Sequence, residues 1–130
     1  MDNSILAGIY IRKIMIENEE LMNLIPANKI FPLLANPDTT FPFILYQRTN
    51  LIADYCKDGT CDNKATFTII IVSNKHSESV YIANAVRHAL ENYRYIDDDI
   101  SIDPIHLDSI YEETLDDAYI QRMVFSFYVQ

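Results

Sequence analysis

Apolar and polar positions follow two different periods along this chain, and the changes of period mark its elements. Near the start, Ile5, Leu6, Ile9, Tyr10 and Ile14 recur at spacings of three and four. That spacing predicts a helix, which Asn3 or Ser4 can cap. Ile11, Met15 and Ile16 point away from this stripe, so the helix has a second apolar side for its own core or for a neighbouring subunit. Asn18, Glu19 and Glu20 ahead of Leu21, Met22, Leu24 and Ile25 predict a second, short helix with acids at its positive end, closed by Pro26. Residues 26–42 hold Pro26, Pro32, Pro37 and Pro42 with a short apolar run at Ile30–Phe31, and read as irregular connection with at most one short strand.

The period then shortens to two. Phe43–Tyr55 and Lys64–Ser73 are β-prone arms around Asp58–Gly59, a strong hairpin signal. Taking that pair as the corner sets Cys56 opposite Cys61, Ile52 opposite Ala65, Arg48 opposite Ile69 and Tyr46 opposite Ile71. One face then carries Ile44, Tyr46, Ile52, Phe67, Ile69 and Ile71. The other carries Gln47, Thr49, Thr66 and Thr68, with Leu45, Ile70 and Val72 near the base. Arg48 conflicts with the apolar face, and a bulge between Arg48 and Leu51 would relieve it. Arms this long exceed the usual five or six residues, so the tip is expected to project from the body.

A helix follows from Asn74 or Ser77 to about Tyr93, with Ile82, Val86, Ala89, Leu90 and Tyr93 as its buried stripe. Ile105, Leu107 and Tyr111 then alternate with His106, Asp108 and Glu112. An Asp116–Asp117 turn leads into Tyr119–Val129, where Met123, Phe125, Phe127 and Val129 face inward. The order helix, hairpin, helix, hairpin predicts a single α+β domain over residues 1–130. Its antiparallel sheet would have about four strands, with a long protruding β-hairpin and two main helices behind it.

Composition narrows the chemistry. The chain has 130 residues and only two glycines, Gly8 and Gly59, too far apart to build a phosphate-cradling loop. Its 19 acids against 10 bases give a net charge of −9, which opposes nucleic-acid binding through phosphates. The excess is local. Asp97, Asp98, Asp99, Asp103, Asp108, Glu112, Glu113, Asp116 and Asp117 fall in one stretch with no Lys or Arg, and the rest of the chain is balanced. The Phe67–Val72 apolar run is interrupted by Thr68 and falls far short of the ~20 residues of a spanning helix. Asp2 stands before the first apolar stretch and Arg12–Lys13 after it, the reverse of a secretory leader, so the chain reads as intracellular when made.

Catalytic and metal signatures are weak. His76, His88 and His106 have no clustered carboxylate or nucleophile motif around them, and they read as structural or solvated. Cys56 and Cys61 lack a zinc spacing and a second ligand pair. They are either two free thiols or a disulfide across the hairpin. Asp97–Asp103 lacks the alternating acids, glycine and closing glutamate of a calcium loop. The acidic stretch is therefore a solvated surface or the charged lining of a passage.

Thr40-Phe41-Pro42-Phe43-Ile44-Leu45-Tyr46-Gln47-Arg48 resembles a strand of the tail-completion proteins of long-tailed bacteriophages and prophages, which include tail terminators and head-to-tail joining proteins. Leu21–Ile25, Lys29-Ile30-Phe31-Pro32, Asp62 with Ala65–Val72, Ala83–Leu90 and the aromatic Phe125–Tyr128 resemble the family in the same order. The acid density of Asp97–Asp117 has no counterpart in that resemblance. The resemblance implies a non-enzymatic structural protein, without cofactor or metal, that forms a ring with copies of itself, commonly hexameric. It also implies a tail tube protein and a head-side connector protein as partners, DNA only as passing cargo, no membrane, and a life in host cytoplasm and then the virion tail.

A ring needs two different patches on each copy. The hairpin, through Leu51, Ile52, Tyr55, Cys56 and Cys61, and the second helix side, through Ile11 and Met15, are the candidates. The nine acids are the candidate channel lining or partner face. Like charge within a Debye length of ~8 Å would keep DNA from adhering. A second reading is a small acidic binding module or inhibitor that mimics nucleic acid. An enzyme ranks third.

Overall fold

The computed structural model describes residues 2–55 and 62–130. A 3-10 turn at Ser4–Leu6 leads into α1 (Ala7–Ile16), and α2 (Glu19–Met22) follows directly. The Asn18 side chain accepts the Leu21 amide at 2.9 Å, so the cap legible in the sequence is made. After a second 3-10 turn at Ala27–Lys29 come β1 (Ile30–Pro32), β2 (Phe43–Ile52), β3 (Asn63–Ser73) and α3 (His76–Leu90). The chain ends with β4 (Tyr95–Ile96), β5 (Ser101–Ile102), β6 (His106–Leu115) and β7 (Ala118–Val129).

These strands form one seven-stranded sheet in the order β1-β2-β3-β7-β5-β4, with β6 also on β7. The α+β class and the helical backing hold, but the sheet is neither four-stranded nor purely antiparallel. β1 runs parallel to β2, pairing Ile30 with Ile44 and Pro32 with Tyr46. Arg12 on α1 fixes that addition. Its guanidinium donates to the carbonyls of Ala27 at 3.0 Å and Ile30 at 3.4 Å, stitching β1 to the helix above it. The small β4–β5 hairpin was not legible in the sequence, because two-residue strands carry no period.

β3 is the centre of the sheet. It pairs with β2 on one side and along its whole length with β7 on the other, from Asn63–Val129 to Ser73–Tyr119. The described hairpin arms thus stay within the sheet and do not protrude: β3 is paired on both sides, and β2 is paired to it as far as Ile52. Asn63, buried at the end of β3, donates to Asp2 and Ser4 and accepts the Asp54 amide at 3.0 Å, tying the hairpin exit to the N-terminal segment. The Asp58–Gly59 corner and the Cys56–Cys61 pairing lie outside the described residues.

A register shift falls between Arg48 and Asn50, where the sequence called for one. Its effect is larger than expected. Tyr46 faces Ile69 and Arg48 faces Phe67, while past the bulge Leu51 faces Ala65 and Ile52 faces Lys64. Leu51 therefore packs on the core and Ile52 turns outward, 56% exposed, the reverse of their expected places. Arg48 stays on the helix side and escapes burial by reaching outward to donate to the Ile5 carbonyl at 3.0 Å.

The helices cover one face only. Ile11 and Met15 of α1 and Ile82, Val86 and Leu90 of α3 enclose Phe67, Ile69, Ile71, Met123, Phe125 and Phe127, with the Phe67 and Phe127 rings stacked at 5.7 Å. The buried stripe of α1 is Ala7, Ile11, Ile14 and Met15. Of the stripe expected from the sequence, Ile14 is buried and Tyr10 packs against the core, while Ile5, Leu6 and Ile9 face solvent. α3 stops at Leu90, and Asn92 takes a left-handed φ of 65° that turns the chain away, which leaves Tyr93 exposed outside the buried stripe. In β6 a second bulge, between Leu107 and Ser109, reverses the alternation, so Tyr111 is exposed and not inward. No helix among the described residues is long and apolar enough to cross a membrane.

Candidate docking surfaces and the acidic side

Alternation along β2, β3 and β7 dictates that what is not turned to the helices is turned to water. The uncovered face carries Thr66 and Thr68 toward one end and an apolar patch toward the other. Phe41, Phe43, Leu45, Ile70, Val72, Leu115, Ala118 and Ile120 line a groove of about 490 Å³ there. Its rim is charged. The Asp116–Asp117 turn stands on it, and Arg122 across the groove is already engaged by Glu113. Chemically the groove can bury apolar side chains and attract a neighbouring cation. It offers no nucleophile, no base in a dry site and no metal set.

A second exposed apolar surface lies at the β1 margin on the helix side. Ile5, in the turn before α1, lines a cleft with Leu33 at the end of β1, and Ile9 and Leu34 are exposed as well, the last at 80%. Exposed apolar surface of this kind, on two separate patches, marks interaction sites in soluble proteins.

All nine acids of the Asp97–Asp117 stretch fall on the elements that flank β7 on the side away from β3. Four are used inside the fold. Asp97 accepts the amides of Asp99 at 2.8 Å and Ile100 at 2.9 Å and the Tyr95 hydroxyl at 2.9 Å, which shapes the β4–β5 turn. Asp108 accepts from Ser126 at 2.9 Å, and Glu113 pairs with Arg122. Glu112 accepts from Gln121 at 2.6 Å and meets His76 Nε2 at 2.6 Å, while Gln121 also donates to Ser79 at 3.2 Å. That chain of contacts links β6, β7 and α3. Asp98, Asp99, Asp103, Asp116 and Asp117 meet no cation within ion-pair distance among the described residues.

Two of these acids, Asp97 and Glu112, are shifted downward. The Asp99 amide, then the Ile100 amide and Tyr95 hydroxyl, hold the Asp97 carboxyl below its ordinary value. The Gln121 amide and then His76 do the same for Glu112. A carboxylate with a lowered folded value takes up its proton first in the unfolded chain. Its stabilisation is therefore present above pH ~4 and lost as pH falls through the lowered value. Urea unfolding of wild type and Asp97→Asn should accordingly differ most near pH 6 and converge toward pH ~2. A constant gap across that range would show that the charge is not what the turn uses.

The candidate interface residues scatter. Tyr55 is 92% exposed beside the exposed Ile52, Leu51 is half-buried, and Cys56 and Cys61 lie outside the described residues. Ile11 and Met15 are enclosed by the chain's own core, so the free side of α1 is the Ile5–Ile9 side. The outer groove went unremarked in the sequence, although its signal was present. Leu45, Ile70 and Val72 are apolar on a face otherwise occupied by threonines and Gln47.

This architecture was compared with known families and structures. The family model of the tail completion protein gp17 matches residues 10–129, nearly the whole domain. The chain belongs to the tail completion protein gp17 family. Membership makes this protein a structural component of a phage tail. A chain in a structure of the virion of a native gene transfer agent (GTA) particle superposes with a TM-score of 0.78 at 12% identity, over 92% of this chain and 90% of that one. Another solved structure superposes with a TM-score of 0.60 at 14% identity over 95% of both chains. At such identities the likeness is one of fold. No curated protein sequence matches the chain.

Proposed function

We propose that this tail-completion protein acts as a terminator, capping the tail tube as a ring of copies of itself and presenting a surface to a head-side connector. The observation that carries the reading is the pair of dissimilar apolar surfaces on one rigid domain, the outer groove and the α1–β1 margin. Heterologous contacts, which close into rings, require two different patches on each copy, whereas a twofold dimer needs only one. The five unneutralised acids, Asp98, Asp99, Asp103, Asp116 and Asp117, would then face the passage. There they would repel DNA over about a Debye length, ~8 Å, and let it slide.

An antibody to this chain, viewed by electron microscopy on purified tails, should label one end of each tail, the end that meets the head. Label along the whole tube, or none, would remove the terminator role. For the lining, replacing Asp98, Asp99 and Asp103 by lysine should leave tails that assemble but slow DNA ejection at low salt. Unchanged ejection would dismiss it.

A further inference from the structure

The sheet is open at both margins, and the two margins are unlike. On one, β2 is covered by β1 only at Ile44, Leu45 and Tyr46, so Gln47–Ile52 has no strand beside it among the described residues. Tyr46 turns its carbonyl outward to the Leu33 amide, and by alternation Arg48 turns its amide and carbonyl outward as well. On the other margin, β6 pairs only with β7 among the described residues. Leu115 and Ala118 flank the two-residue turn and form a hydrogen-bonded pair, so Ile110, Glu112 and Thr114 direct their backbone groups to the open edge.

We propose that the β6 edge of one copy adds to the Gln47–Ile52 edge of β2 in the next, making a continuous sheet across each subunit boundary. This deepens the ring reading and rests on it. Three observations choose this partner. Unpaired edges invite strand addition, and here a long one and a shorter one lie at opposite ends of the same sheet, the arrangement a head-to-tail contact needs. Charge selects the pairing. β6 carries Asp108, Glu112 and Glu113 and no base, so two β6 edges brought together would set like charges opposite each other. β2 offers Arg48 on the helix side, the same side that carries Glu112. The apolar surfaces also continue across the boundary: exposed Val80 of α3 lines a cleft with Ile110 of β6, and exposed Ile5, with Ile9 one helical turn further on, lies where a cleft meets Gln47 and Arg48 of β2.

The test follows the full-length chain by native mass spectrometry in solution and by immunoblot of purified tails. Thr114→Pro removes an outward amide without taking a hydrogen bond from the β6–β7 ladder. It should cut assembly at least tenfold, while Thr114→Ala leaves it unchanged. Ile9→Glu, an exposed helix substitution, supplies a second variant that folds independently of β6 and should show the same loss. Glu112→Arg and Arg48→Glu should each weaken assembly, and the double variant should restore it. Amides of Ile110, Glu112 and Thr114 should gain hydrogen-exchange protection in the assembled form. If the wild type assembles while folded Thr114→Pro and Ile9→Glu assemble equally well, edge pairing is overturned and the ring stands. If the wild type neither self-associates nor enters tails, the ring itself falls, and this contact with it.

Discussion

Truncating Phe67 to alanine is expected to destabilise the domain by about 3–5 kcal/mol, the usual cost of deleting a buried phenylalanine. Phe67 lies on the central strand, is 2% exposed, and stacks on Phe127 under α1. Its removal opens a cavity where β3, β7 and the helix layer meet. Domains of this size are stable by only about 5–15 kcal/mol, so the loss is a large part of the total. A drop in the urea midpoint with an unchanged slope would match this account. A loss under 1 kcal/mol would mean that the layer repacks around the gap. Infectivity at 37 °C should fall in step with the folded fraction.

Placing a charge in the outer groove should do the opposite: spare the fold and remove the function. Ile70 sits half-buried on the uncovered face, in line with Thr66 and Thr68. Ile70→Glu can reach water past its neighbours, so about 1 kcal/mol of stability is at stake. A carboxylate there would meet Asp116 and Asp117 at the rim and could not follow an apolar partner into the groove. We expect at least a tenfold loss of tail-bound protein, equivalent to about 1.4 kcal/mol of docking free energy. Ile70→Thr, which matches its neighbours and keeps the branched side chain, should fold as well and dock better than the glutamate. Equal incorporation of wild type and Ile70→Glu would show that the groove is not a contact surface in the tail.

The two substitutions separate what each face of the sheet is for. The helix-covered face holds the domain together, and its residues were mostly legible as an alternating pattern. The bare face and the two sheet margins are where other chains can attach. Their significance comes from what does not cover them, and no local pattern expresses that.

The sequence by itself determined the order of the longer elements, the Asn18 cap, the need for a bulge after Arg48, the turn at Asp116–Asp117 and the family resemblance. Each of these rests on neighbours within a few residues, where backbone geometry and side-chain size act directly. Tertiary structure alone decided which side of α1 is buried, since Ile5–Ile9 and Ile11–Met15 are both apolar and burial has no direction of its own. It also decided that β1 joins in parallel and that β3, the second hairpin arm, is the centre of the sheet. The bulge near Asp108, which turned Tyr111 outward, was likewise settled by pairing with β7. Those outcomes depend on contacts between residues far apart in the chain, and local periodicity does not specify which distant partner a strand or a helix side will meet.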